Sequence, residues 1–515
     1  MDKNLWLAVA LSIGVYASWF GYFEKHFNPP QTRAASASRA PLAGSAPNSA
    51  IPTDAAPAAS TENVAITVPA DRATILAQAD TVFIGDVEAK IHPNGAAVVS
   101  FLYPEPLGRV ELVADAGQGL FTTFPELAFK RDPSVKNGVV YSATRPDGLK
   151  ITKEYLPGAG TVLPRVRVVA VNTTNRPIDT GAWALSVGPG LGTIESEKSD
   201  NESVQRAIAL TPEAGGLKGH VEALKPGTHP GPYRWIGIDN RYFLAALMPS
   251  DQLFAAARAE TPAKLILTAK PVSISSRGSF TWEVPFYLGA KGHTWLSRYG
   301  AGLERSIDFG FFATFGRWML TSLMWLNDRI GNWGWSIVIL TLVLQILLFP
   351  LTWKSLRAAG AMKKLQPEIV KIQQKYADDP QKISAETMAL YKTKGANPLG
   401  GCLPMVLQMP IFIALFNALR NSWELHGATW MFWIRDLSAK DPYYALPVIM
   451  GALMFVQTKM NPPAGDPAQQ KIMMFMPVMM TFMFMNFPSG LVLYWLTNSL
   501  VSTVLQVGLK KQIEA

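Results

Sequence analysis

Polar side chains recur inside stretches of this 515-residue chain that are otherwise almost wholly apolar. They are Thr341 and Gln345; Gln408 and Asn417; Gln457; Thr481; and Thr497, Asn498, Ser499, Ser502 and Thr503. All of them hydrogen-bond without carrying a charge, so the chemistry on offer is exchange of hydrogen bonds. Polar groups at membrane depth must face other helices or water. Two readings stay open on the residues alone: glue between helices, worth about 1 kcal/mol per contact, or a hydrated groove. Thr341 and Gln345 lie four positions apart and so share a helix face. Met473, Met474, Met476, Met479, Met480, Met483 and Met485 crowd one further stretch. Flexible, polarisable methionines suit a greasy surface that fits many partners, and they equally suit plain lipid contact.

Bond-making chemistry finds no support. There is no Ser/His/Asp set, metal-ligand cluster or phosphate loop, and the six histidines are scattered, with His92 and His220 reading as solvated loop residues. Cys402 is the sole cysteine, so there is neither a disulfide framework nor a Cys-based zinc site, and nothing basic beside it lowers its pKa. No enzyme activity, metal or cofactor is expected. The net charge of +9 suits nucleic acid or a membrane surface. Its basic residues fall between membrane segments, which favours the membrane and no specific nucleic-acid sequence.

The elements that must position these residues begin with Leu5 to Phe23. This apolar run ends in Trp19, Phe20, Tyr22 and Phe23, interfacial anchors in place of a cleavage site. Residues 1–24 read as an uncleaved anchor and 25–63 as an Ala/Pro/Ser-rich flexible linker. Residues 64–295 read as β: Thr81 to Lys90 and Ala96 to Tyr103 flank Pro93-Asn94-Gly95, and Val139 to Thr144 and Leu149 to Leu156 flank Asp147-Gly148. Arg165 to Val171 alternates as a half-buried strand does, and a β-sandwich is expected.

Within 296–333, Phe311, Phe312, Phe315, Trp318, Met319, Leu323 and Leu326 recur at helical spacing and suit an interfacial amphipathic helix. Spanning segments follow at Gly334 to Thr352, Leu399 to Leu419, Tyr443 to Met460, Ile472 to Phe487 and Leu491 to Gly508. Pro404, Gln408 and Pro410 inside the second require neighbours in a bundle. Together 334–508 form a five-helix core, followed by a short tail at 509–515. Residues 354–397 carry a dense lysine set, with Met362, Leu365, Ile369, Ile372 and Tyr376 as a stripe. Asp379 caps a second helix opened by Pro380 and ended by Gly395. This helical hairpin is either solvated or docks a partner. The positive-inside rule places it in the cytoplasm. Parity then leaves the stretch Phe309 to Leu326 in the interface, the β domain outside, and both termini inside.

Several long motifs carry a resemblance. NPLGGCLPMVLQMPIFIALF at Asn397, DPYYALPVIMG at Asp441, QQKIMMFMPV at Gln469 and FPSGLVLYWLTNS at Phe487 resemble, in order and spacing, the YidC/Oxa family of membrane-protein insertases. GPGLGT at Gly188, WIGIDNRYFLAALMP at Trp235 and FYLGAKG at Phe286 resemble the periplasmic β-supersandwich of the Gram-negative members. The resemblance implies a polytopic α-helical inner-membrane protein of six spans, five forming the insertase core, with an inserted all-β periplasmic sandwich. It implies insertion of nascent membrane-protein substrates, alone or beside the Sec translocon, through a groove open to cytoplasm and lipid. Membrane lipids are partners, and the hairpin would serve a ribosome or signal recognition particle system. Met409, Phe412 and Trp495 fall on substrate-contact positions, joined by Met483 of the methionine-rich span; Gln408 falls on a polar groove position beside Thr341 and Gln345. Gln345 stands where the family usually places a groove arginine, so a pull on acidic substrate residues is not expected of it.

A secondary transporter, the first rival, would show internal repeats, and none is visible. A membrane receptor built on the periplasmic domain would want a cytoplasmic effector domain, and the sequence ends at Ala515 soon after the last span.

Overall fold

The structure, a computed structural model, describes residues 71–134, 138–213, 216–261, 263–377, 379–395, 403–460 and 467–509. The expected anchor and linker, the turn at Asn397, Cys402 and the tail lysines Lys510 and Lys511 lie outside the described residues.

The β domain is built on a nine-stranded antiparallel sheet. Its strands run in the order Gly216–Ala223, Arg206–Glu213, Trp235–Asp239, Phe243–Leu247, Ser279–Ala290, Arg165–Asn172, Leu149–Leu156, Val139–Thr144 and Lys130–Asp132. Ser279–Ala290 joins the two halves: Ser279 to Pro285 pair with Arg165–Val171, and Phe286 to Ala290 pair with Phe243–Leu247. Two four-stranded sheets complete the sandwich, one over Asp80–Glu111 and one of Ala184–Val187, Lys264–Ala269, Phe254–Glu260 and Gly227–Pro230.

Local sequence explains most of these elements. Asp147-Gly148 closes the hairpin, with Gly148 at φ 93° and Arg145 paired to Asp147. Arg165–Asn172 alternates half-buried and buried as its sequence predicts. Thr81 to Lys90 differs: it is itself a hairpin, Asp80–Ile84 against Val87–His92, turned at Gly85-Asp86 with Gly85 at φ 64°. Trp235–Asp239 and Phe243–Leu247 are buried at every position because both sheet faces are covered. Trp235, Leu244 and Ala246 pack against Leu296, Leu303, Ile307 and Phe309, and through them against Leu320 and Ala418 of the helical part.

That helical part comprises α1 (Ala313–Ile330), α2 (Trp333–Lys375), α3 (Pro380–Thr393), α4 (Leu403–Asn421), α5 (Ala445–Met460), α6 (Pro467–Phe484) and α7 (Ser489–Gly508). On α1 the buried face is Gly316, Met319, Leu320 and Leu323, while Trp318 and Trp325 point outward and Phe311, just before it, is 90% exposed. Helix α2 starts at Asn332, whose side chain accepts from the Trp335 amide. It continues for 43 residues through Pro350 and Pro367, about 65 Å at 1.5 Å per residue. The expected span Gly334 to Thr352 and the first hairpin arm are thus one helix. Asp379 caps α3 by accepting from the Lys382 amide at 3.1 Å, Gly395 follows at φ 67°, and Lys394 reaches Glu368 across the hairpin at 3.2 Å. Among the described helices, α2 and α7 are long and apolar enough to cross a membrane; Ala445–Met460 and Met473–Phe484 are apolar but shorter.

The seam between the β domain and the helices is full of paired charges. Asp239, fully buried, meets Lys291 at 2.9 Å and Arg206 at 3.1 Å, and Arg206 reaches Asp308 at 3.0 Å. Burial pulls the Lys291 pKa down despite Asp239, whereas Asp239 raises that of Arg206. Arg241 pairs with Glu197 and donates to the Arg420 carbonyl at 2.9 Å. His426, in the loop after α4, meets Glu105 of the β domain at 2.6 Å. Trp423 from the same loop enters the β-domain core beside Phe243 and Tyr242.

Candidate functional site

The helical bundle holds a different kind of polar contact. Helix α7 begins where its first turn is covered by the preceding loop: Ser489 and Gly490 donate to the Ala439 and Leu437 carbonyls at 2.7 and 2.9 Å. Leu425, Ile434 and Leu437 of that loop are buried in the bundle core. Tyr494, Asn498 and Thr503 then follow at about 8, 14 and 21 Å along the helix from Ser489. Tyr494 and Asn498 are one turn apart on one face; Ser499 and Thr503 are one turn apart on another, about 140° round.

Each face meets carboxamides from other helices. Gln345 of α2 donates to Asn498 Oδ1, and Gln408 of α4 donates to the Tyr494 hydroxyl. Gln457 of α5 donates to the Ser499 carbonyl at 2.7 Å and to Thr503 Oγ1 at 3.0 Å. The last helix is therefore the common partner of three amides from three helices, none charged. Unpaired, such groups would be costly in an apolar interior.

The expected groove residues divide. Gln345 and Gln408 meet the same face of α7. Thr341 is buried and donates to the Ile337 carbonyl of its own helix at 2.7 Å. Asn417 looks elsewhere: it donates to the Phe309 carbonyl at 3.1 Å, and Asn421 to the Asp308 carbonyl at 2.7 Å, so both tie α4 to the segment before α1. Thr481 donates to the Pro477 carbonyl at 2.8 Å and packs where Gly451 leaves room.

The expected substrate contacts divide as well. Phe412 and Trp495 meet edge to face, with ring centroids 5.0 Å apart, and Phe484 approaches Trp495 at 5.3 Å. Met409 is half-buried. Met483 is 42% exposed, on an outer face of α6 with Met474, Phe475, Met479 and Phe482. Sequence reasoning missed Tyr494. Its signal is the four-residue spacing to Asn498. It also missed His426, whose partner Glu105 lies 321 positions away.

Comparison with known proteins now bears on the geometry. Residues 325–515 match the family model described as 60Kd inner membrane protein, and residues 111–325 match the YidC periplasmic domain. The membrane protein insertase YidC of Endomicrobium trichonymphae is 38% identical over 82% of this chain and 83% of its own. That of Syntrophus aciditrophicus is 32% identical over 99% of this chain and 100% of its own. A crystal structure of an active YidC insertase aligns with 84% of this chain and 92% of its own at TM-score 0.40 and 18% identity. With relatives matching it along nearly its whole length, and with both the periplasmic and the inner-membrane models matched in turn, this chain belongs to the YidC family of membrane-protein insertases.

Proposed function

We propose that this insertase works through the face of α7 that meets Gln345 and Gln408, as a neutral groove in a six-span protein. The spans are the N-terminal apolar run, the apolar part of α2, and α4 to α7. The hairpin and both termini are cytoplasmic, the β domain is periplasmic, and α1 lies in the interface. Its exposed Trp318 and Trp325, with Phe311 just before it and Arg329 3.7 Å over the Trp325 ring, suit a headgroup-level position. Single cysteines replacing Ser384 and Gly215, with Cys402→Ala, test this orientation in intact cells: an impermeant reagent should label only the Gly215 site, and labelling at Ser384 would contradict it.

The observation that carries the reading is the pairing of Gln345 and Gln408 with one helix face inside an otherwise apolar bundle. A polar face there shortens the apolar path for a substrate's polar flank. The substrate's apolar segment supplies the drive by leaving water, about 25 cal/mol per Å². The outer methionine and phenylalanine face of α6, including Met483, offers that segment an adaptable surface. Cooperation with the Sec translocon, and docking of a ribosome or signal recognition particle on the basic hairpin, belong to the same reading. Liposomes containing only this chain should insert a small phage-coat-like protein. Failure of insertion by folded, correctly oriented protein would overturn autonomous action.

A further inference from the structure

A cleft of about 280 Å³ opens where the β domain meets the start of α1. One wall is the edge strand of the nine-stranded sheet, at Val221 and Ala223; the other runs from Glu304 to Gly310 and on to Ala313 and Arg317. Ala313 and Arg317 are four positions apart and share a face of α1. Three arginines, Arg206, Arg305 and Arg317, line the cleft with two carboxylates, Glu304 and Asp308, which leaves a surplus of one positive charge. Arg206 and Asp308 already hold each other at 3.0 Å, and Asp308 accepts from the Gly310 amide at 2.8 Å. Arg317 is exposed, and its guanidinium makes no hydrogen bond or ion pair among the described residues. A guanidinium with open donors matches a pair of phosphate oxygens.

The neighbours of the cleft point to a membrane source for that phosphate. Phe311, next to Gly310, is 90% exposed, and Trp318, next to Arg317, is 50% exposed. Exposed aromatic rings of this kind sit at the level of lipid headgroups. The cleft is slightly smaller than pockets that enclose a whole ligand, about 300–1,000 Å³, so a headgroup fits while its tails stay outside. Resting on the reading that places α1 in the interface, we propose that this cleft binds the phosphodiester of an anionic glycerophospholipid of the periplasmic leaflet. Arg317 holds the phosphate, and a headgroup with one negative charge neutralises the surplus. A headgroup carrying its own ammonium would restore that surplus. Glu304 is left to accept from headgroup hydroxyls, such as those of phosphatidylglycerol. A lipid seated in this way touches the sheet edge, the connecting segment and α1 together, and holds the β domain against the bilayer.

The test uses the full chain in lipid nanodiscs with a trace of phosphatidylglycerol carrying a photoreactive diazirine beside its phosphate. Crosslinked peptides should map to residues 221–223 and 304–317. Unlabelled phosphatidylglycerol should compete, whereas phosphatidylcholine and soluble glycerol 3-phosphate should not. Arg317→Gln should weaken the site about fivefold, the effect of one basic residue beside an anionic lipid surface, and Arg317→Lys should restore most of it. Competition by glycerol 3-phosphate as strong as by the lipid would make this a soluble-phosphate site and overturn the lipid assignment. Crosslinks spread along α1 in proportion to bulk lipid, unchanged by Arg317→Gln, would overturn the site. A fluorophore on Thr314→Cys, with Cys402→Ala, reports the depth of α1 through lipid-borne quenchers. Absence of quenching there sinks the interfacial reading itself, whereas quenching without any Arg317 dependence of the crosslink sinks this site alone.

Discussion

The seam and the bundle solve one problem in opposite ways. Both bury polar groups between elements far apart in sequence. The seam does so with full charges: Lys291, Asp239, Arg206 and Asp308 in one chain of contacts, Arg241 with Glu197, and His426 with Glu105. The bundle does so with carboxamides and hydroxyls: Gln345–Asn498, Gln408–Tyr494 and Gln457–Thr503. A buried charge is tolerated when an opposite charge and further hydrogen bonds complete its shell, and removing one partner is then severe. A neutral amide costs less to bury and less to release. The seam's contacts should therefore be the costlier to break, and the bundle's neutral contacts are of the weaker kind that the proposed groove requires.

The largest effect that can break this contrast lies at Asp239. Asp239→Ala would leave Lys291 and Arg206 without their shared anion, and should cost about 3–5 kcal/mol. Thermal unfolding of the full chain in detergent would read this as a large loss. A loss as small as that of a bundle amide would remove the distinction between the two regions.

Next is a packing control inside the bundle. A Cβ added at Gly451 would lie 1.9 Å from Thr481 Oγ1. Gly451→Val should separate α5 from α6 at a cost of about 1–3 kcal/mol, seen as a lowered melting temperature. If it is silent, the close approach of these helices does not matter to the bundle.

A pH dependence sharpens the same contrast within the β domain. Lys153 is fully buried with no carboxylate partner among the described residues; its Nζ donates to the carbonyls of Gly95 at 3.1 Å, Ala96 at 2.9 Å and Phe121. Burial holds its pKa well below the ordinary value. Between that depressed value and the unfolded value of about 10.4, the unfolded chain binds a proton that the folded chain gives up. Stability from this group therefore rises with pH through the window and falls as pH drops. Near pH 10 the trend reverses, because burial raises the pKa of Tyr141, Tyr155 and Tyr287 and they stay protonated where unfolded tyrosines ionise. Lys153→Met should flatten the rise of urea midpoints with pH as pH climbs towards the unfolded lysine value of about 10.4. An unchanged slope would show that Lys153 keeps its proton.

The smallest effect belongs to a bundle amide. Gln408→Leu removes the bond to the Tyr494 hydroxyl and should cost about 0.6 kcal/mol of stability, while slowing substrates with polar flanks. A loss of several kcal/mol would place this contact with the seam.

How much of this the sequence showed follows the range of each interaction. Asp379 as cap, Pro380 behind it and Gly395 at the end of α3 are local signals, and the structure has them. So is the Asp147-Gly148 turn. The Gly85-Asp86 turn was equally local, but the β-rich residues around it hid it inside one run. The expected boundary between the span Gly334 to Thr352 and the hairpin is no break: α2 runs on through Pro350 and Pro367. The seam was invisible: His426 and Glu105, or Arg241 and the Arg420 carbonyl, are joined only by the folded topology. For the candidate site, types and spacing pointed to Gln345 and Gln408. They did not show that both meet α7, nor that Asn417 turns away to Phe309. Helical spacing fixes which residues share a face, but the neighbour that the face meets is set by tertiary packing.

The central claim is that the polar face around Gln345 is reached by water and is used by substrates. Alkylation of a Gln345→Cys variant, with Cys402→Ala, measures this most directly, since a thiol reacts only where water supports its thiolate. The account predicts labelling by a small water-soluble maleimide in intact membranes, suppressed while a substrate is held in transit, together with slowed insertion of polar-flanked substrates by Gln345→Leu. A thiol that stays unreactive in native membranes but reacts after unfolding, with Gln345→Leu inserting every substrate at the wild-type rate, would contradict it and leave these amides as glue between helices.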